Sequence, residues 1–262
     1  MGKVSVTLEE KRLENIHDIS EYNMFHERHR IFPAVFEHRN HKRILDIAAG
    51  MGIVGDRIKK DYDADLICND ISPRCLQSLQ KLGITTSSFD LDSTEMPFPF
   101  PEKEFDAVVA LAIIEHLINI DNFIKEIRRM LKDDGCLYLS APNYSGLTYL
   151  IPMLASGKTF HDPIAKESRY EFYAHLRYFT YRTLLEYVSS FGFTPIAVYV
   201  GAPKSGTRYV EMKSRSKMKA FAFKSTMNVL YRLSSPRWAA EPVICFQKSD
   251  KLLKLHPRKV IL

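Results

Sequence analysis

The residues of this chain best suited to chemistry lie close together: Asp46, Gly50, Gly52 and Asp70, all within the stretch from Arg43 to Asp70. Ala48-Ala49-Gly50-Met51-Gly52 carries almost no side-chain bulk, so a ligand can approach its backbone closely. A carboxylate ahead of that turn, Asp46, can face a cation. A carboxylate about twenty residues beyond it, Asp70, can accept from both hydroxyls of a ribose. Apolar Ile44 to Ile47 reads as a buried strand, Ile53 to Lys60 has helical spacing, and Ala64 to Cys68 reads as a second strand. Strand, glycine turn, helix and acid-ended strand form a nucleotide-binding unit, with the helix N-terminus available to an electron-rich group. Two cofactors compete for it. Gly50, Gly52 and Gly55 satisfy the G-x-G-x-x-G spacing of NAD binders, with Asp70 at the expected distance. S-adenosylmethionine is the other, and the rest of the chain must decide.

The elements that hold this unit follow an alternating pattern. Ser72-Pro73 opens a helix that Gly83 ends, and Ile84 to Phe89 is a third strand. Phe105 to Ala110 is a fourth strand, Ile113 to Met130 a long helix, and Cys136 to Ser140 a fifth strand. Thr180 caps a helix stopped by Gly192, and Ile196 to Val200 and Val243 to Gln247 add two more strands. Strands alternating with helices imply an α/β doubly wound parallel sheet, here of seven strands. The expected division is an N-terminal helical segment over 1–42, a core over 43–143, an inserted cap over 144–178, and a C-terminal part over 179–250 carrying a basic helical insertion at 204–237. Residues 251–262 read as a tail. His26, His29, His38 and His41, among Arg28, Arg30 and Arg39, read as a solvated basic face.

Composition narrows the function classes. With 262 residues, 45% hydrophobic and 26% charged, the chain has the make-up of an ordinary globular protein. A net charge of +6 favours anionic partners without the dense clustering of a dedicated nucleic-acid binder. Cys68, Cys75, Cys136 and Cys245 are scattered with no zinc spacing, so no metal is expected. Reduced cysteines and the lack of an apolar signal in Met1 to Glu10 point to the cytoplasm. The longest apolar runs, Ala107 to Ile114 and Leu147 to Ala155, are too short for a transmembrane segment. Lys204 to Arg237 could still contact an anionic lipid surface, a phosphorylated sugar or RNA.

From Asp90 onward five marks appear in order: DLDSTEMPFP, EKEFDAVVA, IIEHL, RRMLKDDGCLYLSAPN and HLRYFTYRTLLEYVSSFGF. Together with D-x-A-x-G-x-G at Asp46, Ala48, Gly50 and Gly52, they resemble the class I S-adenosylmethionine-dependent methyltransferases of the small-molecule, ubiquinone-biosynthesis-like kind, over roughly residues 40 to 200. The resemblance implies a Rossmann-like fold, mostly parallel with an antiparallel last strand and helices on both faces, and an N-terminal segment that lids the cofactor. It also implies that Asp46 lies near the methionine amino group, backed by Ala48, Gly50 and Gly52. Asp70 would hold the ribose, Ile71 would pack on adenine, and Asp90 or Asp92 would accept the adenine amino proton beside Leu91. The Leu111 carbonyl would meet the methionine ammonium.

The protein's task in such a transfer is alignment of acceptor and methyl, because the sulfonium already leaves well. An oxygen acceptor also needs a proton acceptor, for which His116, His161 and His175 are the candidates. Tyr144, Phe160, Tyr170, Phe172 and Tyr173 could line an aromatic pocket. Ala110-Leu111-Ala112-Ile113 stands where amino methylases of DNA carry a Pro-Pro tetrapeptide, so no DNA partner is expected. The expected acceptor is a small molecule, or one linked to lipid or glycan. A transfer RNA, a non-catalytic scaffold and an NAD-dependent oxidoreductase are the alternatives.

Overall fold

The computed structural model describes residues 6, 10, 13–16, 18–22, 24–158, 164, 174–249 and 255–262. Its sheet contains β1 (Arg43–Ile47), β2 (Asp65–Asn69), β3 (Thr85–Ser87), β4 (Phe105–Leu111), β5 (Leu131–Ser140), β6 (Phe193–Val200), β7 (Val243–Lys248) and β8 (Arg258–Ile261). The strand order is β3-β2-β1-β4-β5-β7-β6-β8. β1 pairs in parallel with both β2 and β4, so the order reverses at β1. That reversal creates a crevice beyond the strand ends, the usual ligand position in open α/β sheets.

Alternation along the central strands explains the two-sided wrapping. Leu45, Ile47, Val108, Ala110, Leu137 and Leu139 belong to one core, with Phe123, Ile124 and Ile127. Ile44, Ala107, Val109 and Tyr138 belong to the other, with Phe32, Phe36, Ile58 and Leu79. The helices are α1 (Ile53–Asp61), α2 (Pro73–Lys81), α3 (Ile120–Met130), α4 (Leu147–Ser156), α5 (Tyr181–Ser189), α6 (Thr207–Arg215) and α7 (Lys217–Leu233). Each large core side chain such as Phe123 contributes about 1.5–3 kcal/mol by leaving water.

The expected alternation is present, and β7 runs antiparallel to both its neighbours. Three expectations need correction. The sheet has eight strands rather than seven, because Arg258–Ile261 of the expected tail pairs in parallel with β6. The long helix begins at Ile120 instead of Ile113: Asp92 Oδ1 accepts from the N–H groups of Ile118 and Asn119 at 2.8 and 2.9 Å, which holds the chain ahead of α3 in a turn. Before β1 the described residues include the short helical turns Ile19–Glu21, Glu27–Arg30 and Ala34–Phe36, and Val6 and Glu10 are also helical. Finally, the histidines do not form a solvated face. His41 is buried against Tyr138 OH at 2.9 Å, and His26 Nδ1 lies 3.2 Å from the Glu241 carboxylate.

The N-terminal segment nonetheless reaches the nucleotide-binding unit. Leu13 packs with Met51 and Cys75, and the Glu10 carboxylate accepts from Ser72 Oγ and from Arg74 N at 3.2 Å. The insertion at 204–237 folds as α6 and α7. Glu27 Oε1 accepts from the N–H groups of Lys204, Ser205 and Gly206 at 2.6–2.8 Å, placing a carboxylate at the start of α6.

Candidate active site

The turn after β1 is bent by left-handed backbone at Ala48 (φ 55°), Gly50 (φ 56°) and Gly52 (φ 91°). Nothing lies within 4 Å of where a Cβ on Gly50 would sit, so the backbone there borders open space. Gly52 differs. A Cβ there would stand 2.9 Å from Leu79 Cδ2 and Leu82 Cδ1, so the ends of those two leucines would have to move to admit one. Gly52→Ala is therefore expected to cost about 1–3 kcal/mol from strain and overpacking, read as a lowered thermal midpoint.

Asp70 ties this loop to the next element. Its Oδ2 accepts from Gly50 N at 2.9 Å and its Oδ1 from Ser72 N at 2.9 Å, while Ser72 caps α2 through Cys75 N. Asp46 sits near the end of β1, almost fully buried, and its Oδ2 has no hydrogen-bond partner. Burial, and secondly the charge of Asp70, push the Asp46 carboxyl up to about 8. A buried carboxylate with a spare oxygen beside an open, glycine-lined loop fits a cofactor carrying both an ammonium and a ribose.

Two carboxylates were open for the adenine side. Asp92 is engaged in the turn ahead of α3, with Asn119 Nδ2 donating to its carbonyl at 2.8 Å. Asp90 Oδ1 accepts from Asp92 N at 2.9 Å, which closes the intervening turn. Leu91 is buried in the core, Ile71 is half-buried just after Asp70, and Leu111 ends β4 before Ala112 (φ 52°).

That bend at Ala112 begins the opposite wall. Glu115 is 1% exposed and neither of its carboxylate oxygens has a hydrogen-bond partner. Burial raises its pKa to about 8, against the lowering effects of its own backbone N–H and of the Arg28 charge, while the charge of Glu241 adds to the rise. His116 Nδ1 donates to the Ala174 carbonyl at 3.1 Å, and Leu176 N donates to the Glu115 carbonyl at 2.9 Å. These bonds bring His175 beside His116, with ring centroids 4.7 Å apart, and His175 Nδ1 lies 3.2 Å from Tyr144 OH. Two of the three candidate histidines thus meet. His161 lies outside the described residues, as do Phe160, Tyr170, Phe172 and Tyr173.

Behind this wall is a polar layer absent from the sequence reading. Glu241 pairs with Arg28 and His26 and lies 3.4 Å from Tyr149 OH. Burial would raise the Glu241 pKa, but Arg28 and His26 outweigh it and hold the carboxyl well below the usual range. The signal for it was a lone acid: no Asp or Glu stands between Glu211 and Glu241.

The family described as a methyltransferase domain matches residues 16–198, well over half the chain. The chain belongs to that family. This methyltransferase is 31% identical over 136 residues to the demethylmenaquinone methyltransferase of Tropheryma whipplei, covering 48% of this chain and 56% of that protein. It is 26% identical over 116 residues to the ubiquinone biosynthesis O-methyltransferase of Bradyrhizobium diazoefficiens, covering 44% and 45%. The chain thus spans about half the length of these curated relatives. Its fold is shared by S-adenosylmethionine-dependent methyltransferases from Thermotoga maritima and Archaeoglobus fulgidus. The first aligns with a TM-score of 0.60 at 16% identity, over 92% of this chain and 100% of that one. The second gives 0.54 at 17%, over 84% and 91%. Membership of the methyltransferase family makes S-adenosylmethionine the cofactor.

Proposed function

We propose that this methyltransferase moves the methyl group of S-adenosylmethionine to a hydroxyl oxygen of a small, largely apolar acceptor of the phenol or quinol class. The observation that carries this reading is the group Glu115, His116, His175 and Tyr144, which stands beyond the ends of β4 and β5. Nitrogen bases and a buried carboxyl at that edge can take up or stabilise a proton, which an oxygen acceptor must lose. Tyr144 also packs on Tyr149 and Tyr178, at centroid distances of 4.9 and 4.6 Å, giving the wall an apolar aromatic character. The names of both relatives support a quinone-type acceptor, and that of the second, an O-methyltransferase, supports oxygen as the atom methylated.

On this reading Asp46 holds the methionine ammonium with the Leu111 carbonyl, and Asp70 holds the ribose hydroxyls. Ala48, Gly50 and Gly52 keep the backbone clear, and Ile71 and Leu91 flank adenine. Asp90 is the adenine partner, since Asp92 is committed to the turn before α3. The bound cofactor supplies an electrophilic methyl; the acceptor oxygen forms its bond to that carbon as the carbon–sulfur bond breaks, and one proton is released. The test is transfer of tritiated methyl into separated quinol, phenol, glycolipid and RNA pools. Label in an organic-soluble methyl ether is expected. Label confined to RNA, or cofactor binding without transfer to any pool, overturns the acceptor class.

A second reading concerns delivery of that acceptor from an anionic membrane surface. No helix among the described residues is long and apolar enough to cross a membrane. However, α7 exposes Met218, Phe221, Val229 and Leu233 along one stripe, and Lys217, Lys219, Lys224 and Arg232 accompany them without a single acid. Such a face suits the headgroup region, where each basic residue is worth about 1 kcal/mol. The double change Lys217→Glu and Lys224→Glu is expected to reduce sedimentation with phosphatidylglycerol vesicles by tenfold or more, leaving phosphatidylcholine controls unchanged. Equal sedimentation of both forms defeats this reading.

A further inference from the structure

The basic charge of this chain is concentrated in one place. Residues 204–237 hold nine Lys or Arg and one acid, Glu211, so the whole net charge of +6 resides in this segment. Between its two helices, α6 and α7, lies a groove of about 510 Å³ lined by Tyr209, Lys213, Lys217, Phe221 and Lys224.

We infer that the groove between α6 and α7 is a binding site for a phosphate monoester or diphosphate group, an anion of two or more negative charges. Three observations carry this. The first is uncompensated charge. Lys213, Lys217 and Lys224 all line the groove, no acid does, and none of the three forms an ion pair with a described residue. Like charges around one concavity repel, and a multiply charged anion seated among them replaces that repulsion with attraction. A phosphate monoester carries about two negative charges at pH 7 and three acceptor oxygens, which suits three ammonium groups better than the singly charged diester of a common lipid headgroup.

The second observation is shape. Ala220 is 1% exposed and forms the floor, where its small side chain keeps the groove deep. Lys217, Phe221, Lys224 and Asn228 fall at helical spacing on one face of α7, opposite Tyr209 and Lys213 of α6. Tyr209 and Phe221 offer rings to the carbon frame that carries the phosphate, and Ser225 and Asn228 add neutral hydrogen-bonding groups.

The third is rigidity. The helices meet at Ser216, whose extended backbone ends α6 and whose Oγ accepts from Lys219 N at 3.3 Å. At the far end Lys259 Nζ, from β8, donates to the carbonyls of Tyr231, Arg232 and Ser234 at 2.8–2.9 Å, which ties α7 to the edge of the sheet. A groove held at both ends is preformed, so a ligand enters it with little cost of ordering. The inference rests on the proposed part of α7 in delivering the acceptor, and deepens it by naming the group recognised. Phosphorylated lipids and soluble phosphate esters share that group.

Full-length protein saturated with S-adenosylhomocysteine, which fills the cofactor loop, should be titrated with inorganic diphosphate by calorimetry. At about 0.15 M salt, exposed charges more than about 8 Å apart are largely screened. One diphosphate per chain is expected. Lys213→Gln combined with Lys224→Gln should weaken it about tenfold, whereas Arg208→Gln, a charge loss away from the groove lining, should change it by less than about twofold. All three side chains are partly or fully exposed, and melting curves check the fold of each variant. No saturable binding of diphosphate overturns the inference, and so does equal weakening by Arg208→Gln, which would mark general attraction to a basic surface. Sedimentation with phosphatidylcholine vesicles containing phosphatidic acid forms the second arm. Sedimentation that free diphosphate reverses supports the site and assigns it to a lipid phosphate. Diphosphate binding without sedimentation supports the site, assigns it to a soluble ester and removes membrane delivery of the acceptor.

Discussion

Asp70→Ala is expected to weaken S-adenosylmethionine binding at least tenfold, or about 1.4 kcal/mol, by calorimetry at constant salt. The structure shows why the loss should fall on binding more than on folding. In the free protein the carboxylate already orders the ligand loop through Gly50 N and the start of α2 through Ser72 N. Hydrogen bonds to a charged group contribute about 1.5–3 kcal/mol, against a total stability of about 5–15 kcal/mol for a typical domain. The fold therefore survives, held by the two cores on either face of the sheet. The cofactor loses both the ribose acceptor and the loop that acceptor positions. Asp70→Asn keeps one oxygen and should fall between the two. Affinity unchanged in Asp70→Ala would remove Asp70 from the ribose role, whatever its effect on melting.

Local pattern explains which parts of this site were legible in the chain. Asp46, the glycine turn and Asp70 lie within one strand–turn–helix–strand unit, where side-chain periodicity and glycine placement report directly on geometry. The alternation of Ala107 and Val109 against Val108 and Ala110 likewise encoded two covered faces. Long-range pairing was harder to read. Arg258–Ile261 is short and half-exposed, and it becomes a strand only because β6 offers a free edge. Ile113 to Asn119 has helical spacing, but Asp92 captures the N–H groups that a helix would need. The meeting of His116 with His175 depends on how residues 174–177 fasten to the turn after β4, which no spacing rule encodes. The same holds for Arg28 and Glu241, charged residues from distant segments that bury each other.

Cofactor binding is expected to release close to one proton near pH 7, and the source is Asp46. In the unfolded chain this carboxyl titrates near 4, whereas burial and Asp70 raise it to about 8 in the fold. A raised acid pKa means that the native state binds the proton more tightly, so Asp46 stabilises the free protein at low pH. That contribution is lost progressively as pH rises from about 4 to about 8. An ammonium placed beside Asp46 reverses the preference by favouring the carboxylate. Below pH 8 binding must therefore expel the proton, and affinity should climb with pH, by at most about tenfold per unit for one proton. Above pH 8 the climb ends, because Asp46 is then ionised before binding, and affinity falls as the ligand's amino group, which when free titrates at about 7.7–8.0, loses its own proton. Calorimetry in phosphate and in Tris at pH 7 should differ by the difference between the two buffers' ionisation heats for the one proton taken up. Asp46→Asn should erase that difference and flatten the pH profile. Asp70→Ala should keep the proton release, because burial is the larger cause of the Asp46 shift. Buffer-independent heats in the parent protein would show that Asp46 is ionised before the cofactor arrives, and the ammonium would then need another partner.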